Sequence, residues 1–288
     1  MEGDPMPAGR KPTVRSRRLG ATMKGLRAAA GLDQAAAAAA IDGSVTKISR
    51  MERGQVRARI LEVRALLDLY GVDGAEREQL IQLARDSNKR GWWVDFSDTV
   101  DASYAQYISM EQDATHIRTW ETALIPGLLQ TPGYVRDVLR ANPTVVPAAR
   151  AADFVRVRQE RQARIEEDGV RFAAVIWEPA VAAIAAPGDA NEEQLAHLLE
   201  VGKRQNVTLQ VLPLAKSRAA CVSGPFVAFS FGEGPALEAV THESLTGTMV
   251  LEEAAALDRY TYAYDALSAA ALGPEETAEF IAALIERA

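Results

Sequence analysis

Through the first ninety positions apolar residues recur three or four apart, the spacing of one helix face; further on, alternating and continuous apolar runs of strand length appear among helical stretches. Leu19, Met23 and Leu26 predict a helix over Val14–Ala30, stopped at Gly31. Asp33 can cap a second helix over Gln34–Ala40, because its carboxylate accepts from the first free backbone N–H groups. Six alanines follow Gln34, giving maximal helix propensity with almost no side-chain bulk. Asp42-Gly43 supplies a turn, Gly through freedom at positive φ and Asp through tolerance of the left-handed region. Ser44 caps a third helix in which Ile48 and Met51 face inward with Ile41, leaving Thr46, Lys47, Ser49, Arg50 and Arg53 outside. Ile60, Val63, Leu66, Leu67 and Tyr70 mark a fourth helix ended by Gly71, and Leu80, Ile81 and Leu83 a fifth over Asp73–Ser87. Domains follow: a flexible basic arm over 1–13, an all-α head over 14–88, and a second domain over 89–288.

Asn88-Lys89-Arg90-Gly91 is a polar break, and the adjacent Trp92 and Trp93 read as anchors of the linker. Beyond it, helices are expected over Tyr104–Thr115, near Gly133–Ala141, over Pro147–Glu167, Asn191–Gln205, Glu252–Leu272 and Pro274–Arg287. Strands are expected at Ile117–Glu121, Arg171–Trp177, Val207–Leu212, Pro225–Phe231, Ala236–Thr241 and Thr248–Leu251. Leu124–Pro132 reads as an apolar loop with two prolines, and Pro179 as a break between strand and helix. Arg156, Arg158, Arg161 and Arg164 form a stripe that reads foremost as a solvated face, alternatively as a grip on a partner or on DNA. The fold class expected is an all-α five-helix head plus a mixed α/β (α+β) domain.

The formal charge of −7 opposes nucleic-acid binding only until it is divided. Residues 1–90 hold 17 Lys and Arg against 11 Asp and Glu, net +6, while residues 91–288 hold 15 against 28, net −13. Phosphate affinity follows local charge, so a basic head on an acidic body is compatible with DNA. No apolar run approaches the ~18 residues of a membrane span, and the basic N-terminus lacks a following apolar segment, so no membrane partner and a cytoplasmic location are expected. A single cysteine, Cys221, excludes an intrachain disulfide and a zinc finger, and reads as a small buried residue.

On the residues Gln34, Ala38, Ser44 to Glu52 and Gly54, the region 14–71 resembles the Xre/Cro-like helix-turn-helix family, the fold of phage repressors. It departs from that pattern in Asp42 before Gly43, in Ala37 where Leu is usual, and in Ala58 near a usual Pro. The resemblance implies a recognition helix entering a major groove about 12 Å wide, with Val45, Thr46, Lys47 and Arg50 toward base edges. It places Gln34, Ser44, Ser49 and Arg53 on phosphates. Glu52 reads instead as part of an internal ion pair with Arg27 that braces the head.

A second resemblance rests on Arg90-Gly91-Trp92-Trp93, Tyr107–Glu111, Ile125–Tyr134, Arg158–Arg161 and Asn206–Pro213: most of 90–285 looks like the C-terminal domain of actinobacterial WhiJ-type regulators. It implies a homodimeric transcriptional regulator whose second domain serves dimerisation, a small-molecule effector, or an antitoxin-like interaction with a small partner protein. Ordinary core packing accounts for Trp92, Trp93, Trp120, Ile125, Leu128 and Trp177, which would otherwise line a ligand or partner pocket. His116, His197 and His242 are scattered, no Gly-rich phosphate loop or nucleophile elbow occurs, and Glu192-Glu193 and Glu275-Glu276 sit where first turns of helices favour acids. No metal, cofactor or enzymatic activity is therefore expected.

Overall fold

The computed structural model describes residues 14–87, 91–142, 146–166, 170–221, 223–232, 234–244 and 247–287. The expected arm over 1–13 and Asn88-Lys89-Arg90 of the polar break lie outside them. The chain divides into two compact units, Met1–Trp92 and Trp93–Ala288.

The first unit contains α1 (Val14–Ala29), α2 (Gln34–Ala40), α3 (Val45–Glu52), α4 (Ile60–Leu69) and α5 (Gly74–Ser87). Their apolar stripes meet in one core: Leu19 and Met23 of α1, Ala37 and Ala38 of α2, Ile48 and Met51 of α3, Val63, Leu66 and Leu67 of α4, Leu80 and Ile81 of α5. Leu66 and Leu67 are at most 1% exposed, so each contributes about 1.5–3 kcal/mol by burial. Ala37, in the place where Leu is usual, is fully buried, so a branched side chain there would have to displace its neighbours.

The second unit adds α6 (Ala102–Asp113), β1 (His116–Glu121), α7 (Pro132–Ala141), α8 (Ala151–Glu166), β2 (Arg171–Trp177), α9 (Glu178–Ala182), α10 (Asp189–Gly202), β3 (Val207–Leu212), α11 (Ser217–Ala220), β4 (Phe226–Ser230), β5 (Ala239–Ser244), β6 (Gly247–Leu251), α12 (Ala254–Ala270) and α13 (Pro274–Ile285). The six strands form one mixed sheet in the order β3-β2-β1-β4-β5-β6. β1, β2 and β3 are parallel, whereas β4, β5 and β6 run antiparallel to their neighbours. An α+β unit on an all-α head is thus the observed fold class.

Trp120 stands opposite Val175 on one side and Phe226 on the other. Together with Leu212 and Val240 they build a core closed by Tyr264 and Leu267 of α12. Both edges of the sheet have backbone groups satisfied by side chains or loops. At β3, Val211 N–H donates to Thr277 Oγ1 at 3.0 Å and its carbonyl accepts from Leu272 N–H at 2.9 Å. At β6, Thr248 N–H donates to Ser103 Oγ at 2.9 Å. Such caps remove the template for edge-to-edge pairing.

Three expectations need correction. Pro179 does not break the passage from β2 into a helix; it occupies the first turn of α9, where its missing N–H would have had no helical partner. Cys221 is exposed, not buried. The arginine stripe of α8 is solvated only in part: Arg156 is exposed, but Arg161 is 2% exposed and its guanidinium grips Glu111, itself 1% exposed, at 2.8 and 2.7 Å. Tyr104 Oη accepts from the same guanidinium at 2.7 Å, and the rings of Tyr104 and Tyr107 lie beneath it. Arg164 donates to the Ala114 carbonyl at 2.7 Å. Helical spacing carried this signal: Val157, Arg161 and Ile165 share the buried stripe of α8.

Candidate nucleic-acid interface

Asp33, at φ −87° and ψ 172°, lies outside the helical region and accepts from Ala36 N–H at 2.8 Å, which starts α2. The helix ends in a paired-hydrogen-bond stop: Asp42 N–H reaches the Ala39 carbonyl at 3.3 Å and Gly43 N–H the Ala38 carbonyl at 2.9 Å. The left-handed residue that this stop needs is Asp42, at φ 47°, rather than Gly43. Ser44 then accepts from Lys47 N–H at 3.2 Å and opens α3.

Two glycines hold the far end of α3 against α1. A Cβ on Gly20 would stand 2.5 Å from the Met51 carbonyl oxygen. Gly54, at φ +69°, repeats the left-handed stop after α3, and a Cβ there would stand 2.6 Å from Arg17 N. Only backbone against backbone fits at this crossing. Gly20 is a residue that sequence reasoning missed, although its place one position after Leu19 on the first helix put it beside the buried stripe.

Beneath α3 lies a polar cluster. Arg27 Nε donates to Glu52 Oε1 at 2.6 Å and Nη2 to Oε2 at 3.2 Å, while Gln34 Nε2 donates to Oε2 at 2.7 Å. Burial alone would raise the Glu52 carboxyl, but hydrogen bonds from Arg27 and Gln34 and the guanidinium charge outweigh it and leave the group below its ordinary range. Its hydrogen bond to Glu52 leads the causes that raise Arg27. Tyr70 is pushed up to about 12, first by burial and then by the Glu52 charge. The ion pair expected between Glu52 and Arg27 is therefore present, and Gln34 belongs to it.

The outer surface of α3 carries the predicted contact residues unevenly. Ser44, Thr46, Arg50 and Arg53 are exposed, as is Val45 at 48%. The Arg50 side chain has no hydrogen bond or ion pair among the described residues. Lys47, half-buried, is tied to Glu62 of α4 at 2.7 Å. Arg53 folds back on its own helix, donating to the Ser49 carbonyl at 3.1 Å and to Ser49 Oγ at 3.3 Å. The outer face of α3 thus presents the unpaired guanidinium of Arg50, flanked by the exposed Val45 and Thr46.

In the second unit the predicted pocket residues Trp120, Ile125, Leu128 and Trp177 do not line one space. Trp120 is fully buried and Trp177 packs against the same α12-covered core. Trp92 and Trp93 are half-buried in a single 3-10 turn over Trp92–Phe96. Ile125 and Leu128 are buried in the loop after β1, which is strapped down by Gln130 Nε2 donating to the Ile125 carbonyl and Gln194 Nε2 to the Leu129 carbonyl, each at 2.7 Å. Ile125 lines a cavity of about 210 Å³ together with Tyr107, Glu121, Arg158 and Glu243. No helix among the described residues is long and apolar enough to cross a membrane.

Two tight caps, an alanine crossing and an exposed face on the second short helix define the first unit as a helix-turn-helix. A helix-turn-helix domain family matches residues 18–80, which supports a DNA-binding regulator rather than an enzyme. A second family, described as a domain of unknown function (DUF5753), matches residues 104–283, more than half of the chain. The chain belongs to the DUF5753 family. No curated protein and no solved structure matches it.

Proposed function

We propose that the chain is a sequence-specific transcriptional regulator of the Xre type, similar in layout to WhiJ-type regulators, that binds operator DNA as a homodimer in the cytoplasm. The observation that carries this reading is the exposed face of α3, where the Arg50 side chain has no partner among the described residues and Val45 and Thr46 stand beside it. An arginine so placed can donate in bidentate fashion to guanine O6 and N7, and Thr46 and Val45 suit thymine methyl groups. Lys47 reaches a base only by leaving Glu62. Ser44, Ser49, Arg53 and Gln34 serve phosphates, with Gln34 oriented by Glu52. One head makes too few contacts for operator affinity, so two heads address half-sites about 34 Å apart or a multiple of it.

Gel-shift titration against the promoter of the protein's own gene cluster tests this. Arg50→Ala should reduce discrimination between operator and random DNA by about 1–3 kcal/mol. Equal weakening on both DNAs would move Arg50 to phosphate, and affinity that does not fall with salt would refute phosphate neutralisation. The net charge of −13 over residues 91–288 favours a second role for that region, antitoxin-like binding of a small basic partner protein. Co-purification of such a partner with the full chain checks it.

A further inference from the structure

The cavity that Ile125 lines sits at the carboxyl end of β1, where the parallel part of the sheet meets the antiparallel part. Open sheets place ligands at that kind of junction. Glu121 is the last residue of β1 and points away from the α12-covered core that its neighbour Trp120 enters. Continuing the cross-strand pairing of Trp120 with Phe226 and of Val227 with Thr241 by one or two places brings Glu243 of β5 into line with Glu121, two strands away. At about 4.8 Å per strand their backbones stand roughly 10 Å apart, a gap that two side chains can close around a small group.

The cavity's polar lining is unspent. The Glu121 side chain makes no hydrogen bond or ion pair among the described residues. Arg158 Nε is buried with no partner, although the guanidinium is held over the rings of Tyr104 and Phe154 at 5.9 and 5.2 Å. Arg158 Nε, buried and unpaired, costs stability, and the half-buried Glu121 carboxyl adds a second group without a partner beside the same cavity.

We propose that this cavity binds a small organic cation, a primary ammonium that also carries a hydrogen-bond acceptor. The ammonium satisfies Glu121 and Glu243, and the acceptor takes the Arg158 Nε–H. An ammonium can replace the proton that Glu121 holds in the empty site and lie between its carboxylate and that of Glu243, whereas an anion would meet the Glu243 charge and a neutral molecule would bring no charge to either acid. The volume of about 210 Å³ equals about seven water volumes, which limits the ligand to a compact molecule. The groups facing Glu121 are Tyr107 of α6, Tyr134 of α7, Arg158 of α8 and Glu243 of β5. Burial, then the charge of Glu243, against the opposing pull of Arg158, lifts the Glu121 carboxyl to about 8, so the empty site holds a proton at neutral pH. Arrival of an ammonium expels that proton.

This inference deepens the effector-binding part of the proposed function, and its test contains no DNA. Failure here therefore leaves operator binding standing, and failure of the operator titration leaves amine binding standing. The full chain is titrated at pH 7 with ethanolamine, glycinamide and putrescine, against acetamide as neutral control and propionate as anionic control. Calorimetry in two non-amine buffers of different ionisation enthalpy and thermal unfolding are the readouts.

The amines should raise the unfolding temperature and release up to one proton per ligand, and both controls should be silent. Glu121→Gln, which preserves shape, and Glu243→Gln at the exposed rim should each weaken ethanolamine at least tenfold. Arg158→Gln should weaken ethanolamine and glycinamide more than putrescine, which has no acceptor. Three results overturn the proposal: no shift with any amine up to about 20 mM, propionate or acetamide binding as well as ethanolamine, or ethanolamine binding unchanged in both glutamine variants.

Discussion

Glu52→Gln separates a brace from a bystander. In the folded head Oε1 accepts from Arg27 Nε, and Oε2 accepts from both Arg27 Nη2 and Gln34 Nε2. A glutamine amide has only one oxygen. Wherever its NH2 turns, it faces at least one donor, and the Arg27 guanidinium, whose side chain is 12% exposed, loses its counter-charge. Loss of a charged hydrogen bond costs about 1.5–3 kcal/mol, and breaking a buried pair reaches about 3–5 kcal/mol. Because Arg27 keeps its bond to the Leu32 carbonyl at 2.7 Å, a loss of about 2–4 kcal/mol is expected.

For a domain of this size each kcal/mol moves the midpoint by about 4–8 °C, so the head should melt roughly 10–25 °C lower. Thermal and urea unfolding followed by circular dichroism provide the measurement. The pH dependence gives an independent sign. Glu52 titrates lower in the folded head than in an unfolded chain, so its stabilisation is complete above the unfolded value of about 4.3 and fades as pH drops through the folded value. The gap between parent and Glu52→Gln should therefore shrink as acid is added. Arg27→Met combined with Glu52→Gln should be less harmful than the sum of the two, since neither charge is then stranded. Additivity within about 0.5 kcal/mol, or a gap that widens in acid, would refute the brace.

Gly20→Ala should destabilise the head by more than about 2 kcal/mol and weaken operator binding in gel-shift assays, because the new methyl meets the Met51 and Glu52 carbonyls. A neutral outcome in urea titration would mean that α1 and α3 part easily. Arg161→Met strands Glu111 in the interior and should cost the second unit about 3–5 kcal/mol in the same assay; Arg156→Met, at an exposed position, should stay within about 0.5 kcal/mol. Thr277→Val leaves the Val211 N–H without its acceptor and should cost about 1–3 kcal/mol, with faster hydrogen exchange at Val211.

The head was legible because its information is local. Caps at Asp33 and Ser44, the alanine run between Gln34 and Ile41, and apolar residues three and four apart specify short helices without reference to distant contacts. Local pattern also marked β2, whose apolar run from Phe172 to Trp177 is what a strand buried on both faces requires, and β3, where Thr208 and Gln210 alternate with Val207, Leu209 and Val211. The Arg27–Glu52 pair was within reach of the sequence once a buried acid at the end of α3 needed a base.

What the sequence could not decide is which polar residues are turned inward, because that depends on groups brought together from far along the chain. Arg161 and Glu111 are fifty positions apart, and a charged residue on a helix reads as solvated until its partner is known to face it. Ser103 and Thr248 are separated by 145 positions and meet only because the strand order carries β6 to the edge beside α6. Glu121 and Glu243 likewise share a cavity only through the register of β1, β4 and β5. Periodicity tells a side chain which face of its own element it occupies; the tertiary structure alone says what stands opposite that face, and for charged groups the opposite partner sets the energy.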